Sequence, residues 1–234
     1  MHLLESLRYY LGLPWKSNPP SQVDAILNRR ARVLLGGKRV EIGGRVLTRK
    51  QIQILSGCPG GGSVRLITMR SDIQMVVTHA QFIRQCNIIE IRKARDGHVL
   101  YLDYIWFTNA PSGFGAITFL RMAQLAKTLG LVRIELLAAG GTGAKGRSWS
   151  EHFWGYEYWP RLGFNAPLHE TIRQQLQTHP LLSTATTVSE VIQTDLNWWK
   201  RYGDGWEMTF DLADGSPSWY TLNAYIASRK GLLS

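Results

Sequence analysis

A chain of 234 residues with a 44% apolar share, 9 Trp and 9 Tyr is long enough to bury a substantial core and too aromatic to be disordered. Its two cysteines, Cys58 and Cys86, have no CxxC or CxxH spacing, and no apolar run approaches the roughly 18 residues of a membrane span, which argues against a disulfide framework, a zinc or other metal site, and a membrane protein. The net charge of +10 is uneven: residues 1–70 hold 12 Lys/Arg against Glu5, Asp24 and Glu41, while the rest carries 15 basic and 14 acidic side chains.

In chain order, residues 3–13 read as a short helix ended by Gly12 and Pro14, and Asn18-Pro19-Pro20 as a connector. Ser21 is an N-cap for a helix from Gln22 to about Leu35 that carries Arg29, Arg30 and Arg32 near its end. Alternation over 39–47 about Gly43-Gly44 marks a tight hairpin. Thr48 caps a helix through Leu55, and Gly57 to Ser63 reads as a linker. Residues 1–63 thus form a basic helical and hairpin region. Strands follow over 64–69, 73–77, 87–92 and 99–107, the last two joined through Asp96-Gly97. A helix over 113–129 takes its apolar face mainly from Ile117, Leu120, Ala123, Leu125 and Leu129, and Gly130 stops it. A buried-type strand over 131–138, a glycine loop over 139–146 and an aromatic helix from Trp154 complete a core of 64–168. The remaining 169–234 reads as a C-terminal helical extension, with helices at 168–177, 188–202 and 218–229 and one strand at 207–212.

Two segments carry chemistry. Ser112-Gly113-Phe114-Gly115-Ala116 follows a strand and opens a long helix; small residues let the backbone approach a ligand, and free N–H groups with the positive end of the dipole suit phosphate. Farther on, Tyr158-Trp159-Pro160-Arg161-Leu162-Gly163-Phe164 ends an aromatic helix. The order of glycine turn, helix, strand, aromatic helix and Leu-Gly-Phe resembles the acyl-CoA-binding half of the GCN5-related N-acetyltransferases, over about residues 64–168. The resemblance implies an α/β fold with a mixed, mostly antiparallel splayed sheet and flanking helices. It further implies acetyl-CoA, or another acyl-CoA, held by Phe107, Thr108, Gly113, Phe114, Gly115 and Ala116.

The family's Gln/Arg position falls on Ala110, which removes one phosphate-facing side chain, and Arg121 lies too far along the helix to replace it. Trp159 stands where the family usually has the Tyr that assists the leaving thiolate. Indole is no general acid, so Tyr158, or Tyr156 on a rotated helix, takes the role, with Trp154 and Trp159 read as core aromatics. An amine acceptor must lose a proton, and Asp103 on the strand entering the glycine turn is the first candidate base, its pKa raised by burial. Glu135 is second and His152 third. Gly141 to Gly146 matches GxGxxG, but no apolar helix or distant acidic residue follows it, so the loop is read as shaping an acceptor site with Lys145 and Arg147.

The resulting expectation is an N-acyltransferase moving acetyl to an amine on a nucleic-acid-associated acceptor such as tRNA, DNA or a basic protein, with a toxin or effector role compatible with the charge. Residues 1–70 are expected to meet nucleic acid or an RNA-containing assembly. With no basic leader ahead of an apolar stretch, a cytoplasmic setting is the expectation. The alternative is a non-catalytic binding module of the same fold, favoured by Ala110 and Trp159.

Overall fold

The computed structural model describes residues 22–37, 39–69, 72–141 and 153–228. The helix expected over 3–13, and His152, Lys145 and Arg147, lie outside them. Helix α1 (Gln22–Asn28) buries Val23 and Leu27 and stops well short of Leu35. Residues Arg32–Leu34 instead form strand β1, parallel to the start of the next long strand, with Val33 buried. The Arg32 N–H donates to the Gly62 carbonyl at 2.9 Å. Sheet pairing of one buried β-branched residue outweighs the helical preference of an arginine run, and Arg29 and Arg30 sit exposed in the connection. Strands β2 (Glu41–Ile42) and β3 (Arg45–Val46) make the expected hairpin. Helix α2 (Arg49–Leu55) starts at a capping box, the Thr48 hydroxyl accepting from the Gln51 N–H while the Gln51 side chain accepts from that of Thr48.

The segment from Cys58 to Ser63 is no loose linker. Its first three residues are buried, and the Gly60 and Gly61 N–H groups donate to the Ile26 and Arg30 carbonyls at 3.1 and 2.9 Å. Both cysteines are free, and burial pushes the Cys58 thiol up to about 12.

From there β4 (Ser63–Met69), β5 (Asp72–Thr78), β6 (Asn87–Ala94) and β7 (Gly97–Tyr104) run as an antiparallel meander. Helix α3 (Phe114–Thr128) crosses over to β8 (Arg133–Leu137), which is parallel to β7, as a parallel neighbour requires. After α4 (Gly155–Arg161), α5 (Glu170–Leu176), α6 (Val188–Thr194) and α7 (Leu196–Tyr202) comes β9 (Glu207–Asp211), antiparallel to β8, and then α8 (Pro217–Ser228). The result is a mixed, mostly antiparallel sheet in the order β1-β4-β5-β6-β7-β8-β9, flanked by helices. The sheet crosses the boundaries expected at 63 and at 168, since β1 precedes the first and β9 follows the second.

One face of the sheet buries Met75, Ile89, Leu100, Ile134, Leu136 and Phe210. Helix α3 lies over β8 with Phe114, Phe119, Met122 and Ala126 buried, and α1, α2 and α8 pack beside it. Each large apolar side chain buried here contributes about 1.5–3 kcal/mol. The single helix expected over 188–202 is two, because Asp195 leaves helical geometry (φ −149, ψ 87) and its carboxylate accepts from the Trp198 N–H at 2.9 Å, capping α7. Among the described residues no helix is long and apolar enough to cross a membrane.

Candidate functional site

Strands β7 and β8 pair from Val99–Arg133 to Leu102–Leu136 and no farther. On the other side of β7, Ile89 pairs with Leu102 and Ile88 with Tyr104, so Asp103 is an extra residue, a bulge that bends the strand and re-aims its side chain. Bulge and lost pairing coincide. The two parallel strands part there, and a cavity of about 690 Å³ opens at their carboxyl ends.

Three elements close it. From β7 and its continuation come Tyr101, Asp103, Trp106 and Phe107; from α3, Gly113, Phe114, Gly115 and Thr118; from α4, Gly155, Tyr158 and Trp159. Gly113, left-handed at φ 76, is the N-cap of α3 and offers no side-chain cap. The Phe114 N–H donates to Pro111 at 3.1 Å, which leaves the Gly115 and Ala116 amides at the helix start without a side-chain acceptor. A Cβ at Gly115 would stand 2.8 Å from the Tyr158 hydroxyl, so the glycine is what lets the phenol lie against the helix start.

Of the residues singled out in the sequence, Asp103, Phe107, Gly113, Phe114, Gly115 and Tyr158 line this cavity. Thr108 does not; its N–H is held by the Phe82 carbonyl at 2.9 Å. The Ala116 side chain is buried in the core, and only its amide belongs to the helix start. Ala110 lines the cavity without a polar group, and Arg121 is tied to Asp24 and Asn28. Tyr156 is buried away from the cavity, its hydroxyl 2.9 Å from both the Glu157 carboxylate and the Lys200 carbonyl. Glu135 accepts from Arg133 Nε at 2.6 Å and does not line the cavity. Asp103 stands at the rim. Partial burial there, then the charge of Glu90, raises its pKa above the ordinary carboxylate value, with Arg92 opposing.

Trp159 packs edge-on against Phe119 and Phe164, at ring distances of 6.1 and 5.4 Å, but it is half-buried and lines the cavity, so it stands at the edge of the core and not within it. Trp154 is the opposite of the core residue expected: it is 62% exposed. As the N-cap of α4 its backbone bridges to Gly140, which turns the indole out to the cavity edge.

Trp106, Phe153 and Tyr225 also line the cavity and had no signal in the local pattern. The Trp106 N–H donates to the side chain of buried Asn87 at 2.8 Å, and Phe153 meets Tyr104 and Trp106 edge-on. Among the described residues no group of His, Cys, Asp and Glu is arranged to hold a metal. No protein-family model, no curated protein and no solved structure matches the chain.

Proposed function

We propose that the chain is an acyltransferase of the GCN5-related N-acetyltransferase type that moves acetyl from acetyl-CoA, or another acyl group from its CoA thioester, to an amine. The observation that carries this reading is the cavity between diverging parallel strands, with an uncapped glycine helix start, a phenol and a rim carboxylate on its walls. The Gly115 and Ala116 amides of this uncapped helix start suit a diphosphate, whose charge the helix dipole favours. Acyl-CoA supplies the acyl group as an activated thioester. Asp103, with its raised pKa, accepts the proton of the amine as nitrogen bonds to the acyl carbon. As the carbon–sulfur bond breaks, the Tyr158 hydroxyl gives a proton to sulfur, and the proton held by Asp103 returns to the phenolate through solvent. Aromatic walls from Phe107, Phe114 and Trp159 exclude water from the thioester.

The exposed arginines before residue 70, among them Arg29, Arg30, Arg32, Arg39, Arg45, Arg49 and Arg65, support a polyanion partner such as nucleic acid for the same chain. Ala110 and Trp159 favour a second reading, a non-catalytic nucleic-acid-binding module of this fold. Thiol release from acetyl-CoA in the presence of amines separates the two. The transferase releases thiol in an amine-dependent way, and Tyr158→Phe slows it by about 10²-fold or more. Amine-independent background in both proteins favours the binding module.

A further inference from the structure

The cavity follows one stripe of α3 past its start. After Phe114 and Gly115 the helix residues that line it are Thr118, Phe119 and Met122, spaced three and four apart. Phe119 and Met122 suit an apolar wall. Thr118 does not: it is 3% exposed, and its hydroxyl oxygen is buried with no hydrogen-bond partner. A threonine inside a helix ordinarily turns its hydroxyl back to a carbonyl three or four residues earlier, and here that bond is not made.

The other branch of the same carbon shows which way the side chain is turned. A Cβ added at Gly57, which lies just past α2 and is not a cavity residue, would stand 3.0 Å from Thr118 Cγ2. The methyl thus packs toward α2, and the hydroxyl is left for the cavity side. A buried hydroxyl without a partner costs about 1–3 kcal/mol, a cost that a ligand in the cavity removes by supplying the partner.

The surroundings say what kind of group that is. Among the described residues Asp103, at the rim, is the only charged side chain that lines the cavity, so the group meeting Thr118 is neutral. Thr118 also stands one turn of α3, about 4.5 Å of helix rise, past Gly115, whose amide is placed for a diphosphate. In an acyl-CoA the diphosphate is followed by the pantetheine arm, an aliphatic chain broken by one hydroxyl and two amides. We propose that Thr118 is a recognition residue for this arm, its hydroxyl hydrogen-bonded to a hydroxyl or amide of the chain while Phe119 and Met122 line the methylenes. The inference rests on the acyl-transfer reading and adds to it the residue that tells an acyl-CoA from a bare nucleotide.

Calorimetric titration of CoA and of 3′-phospho-ADP, which keeps the diphosphate and lacks the arm, into the parent, Thr118→Val and Thr118→Ser tests the contact. The denaturation midpoint of each ligand-free protein is the companion reading. The parent is expected to bind CoA at least about fivefold more tightly than 3′-phospho-ADP. Thr118→Val keeps the shape and strands a polar group of the ligand. It is expected to weaken CoA at least about fivefold, to leave 3′-phospho-ADP unchanged, and to unfold at a midpoint no lower than the parent's. Thr118→Ser restores the hydroxyl and should hold CoA within about threefold of the parent. A lower midpoint in Thr118→Val with both ligands weakened alike marks a purely structural threonine and overturns the inference, as does unchanged CoA affinity in Thr118→Val. The two failures stay apart: a parent that binds neither ligand sinks the acyl-CoA reading itself, whereas CoA bound equally by parent and Thr118→Val leaves that reading standing and removes Thr118 from it.

Discussion

Two glycine segments of this chain look alike in sequence and do opposite things. At Gly60 an added Cβ would stand 2.3 Å from the Arg29 Cβ and 2.5 Å from the Ile26 carbonyl oxygen, so the glycine is there to close a seam between α1 and the start of β4. At Gly115 an added Cβ meets the tip of one side chain, the Tyr158 hydroxyl at 2.8 Å, and beyond it lies open cavity. In the first region the chain is packed shut and its charges point outward; in the second the glycine admits only a phenol hydroxyl, and the helix start lines an open cavity. The lesson is that a glycine-rich stretch signals close approach without saying whether the visitor is the protein itself or a ligand. The surrounding free amides and cavity decide it.

Substitutions can break that contrast. The largest effect is expected at the open region: Asp103→Asn should cut turnover by about 10²–10⁴-fold while acetyl-CoA affinity, read by calorimetry, stays at the parent value. Because Asp103 must be ionised to accept a proton and its pKa is raised, activity should climb with pH through a limb above the ordinary value of 3.8, and Asp103→Asn should lose that limb in a kcat/KM profile. The glycine comparison itself is sharpened by a pair. Gly60→Ala meets backbone and should cost about 1–3 kcal/mol in denaturant unfolding, whereas Gly115→Ala displaces only a phenol and should leave stability within about 1 kcal/mol while slowing turnover. The smallest effect is expected on the closed side. Reversing Arg29, Arg30 and Arg32 to Glu should weaken binding to a duplex several-fold in a salt-dependent titration and leave acetyl-CoA affinity unchanged. Salt-independent binding would remove the electrostatic explanation of the basic region.

What the sequence foretold correctly was local. The Gly43-Gly44 hairpin and the Thr48 cap are written in neighbouring residues, and so is the strand, turn and helix around Gly113. What it did not foretell depends on distant partners. Arg32–Leu34 leaves the helical pattern for a parallel pairing with Ser63–Arg65, which no local periodicity records. Asp195 interrupts an apolar pattern that runs on through it, because its carboxylate is spent on capping α7. At the site, Asp103 was legible as a carboxylate on the entering strand, but its bulge arises only from the register with Ile88 and Ile89. Tyr225 and Phe153 reach the cavity through the crossing of elements far apart in the chain, and Trp154 is exposed because its backbone bridges to Gly140.

The most direct test of the cavity as an acyl-CoA site is calorimetric titration of acetyl-CoA into the parent protein and into Gly115→Glu. The parent is expected to bind one molecule with a Kd below about 1 mM, the upper range of enzyme substrates, and Gly115→Glu to give no binding, because its carboxylate would stand where the diphosphate must lie. A parent that does not bind, or a variant that binds as tightly as the parent, would contradict the site and with it the proposed chemistry.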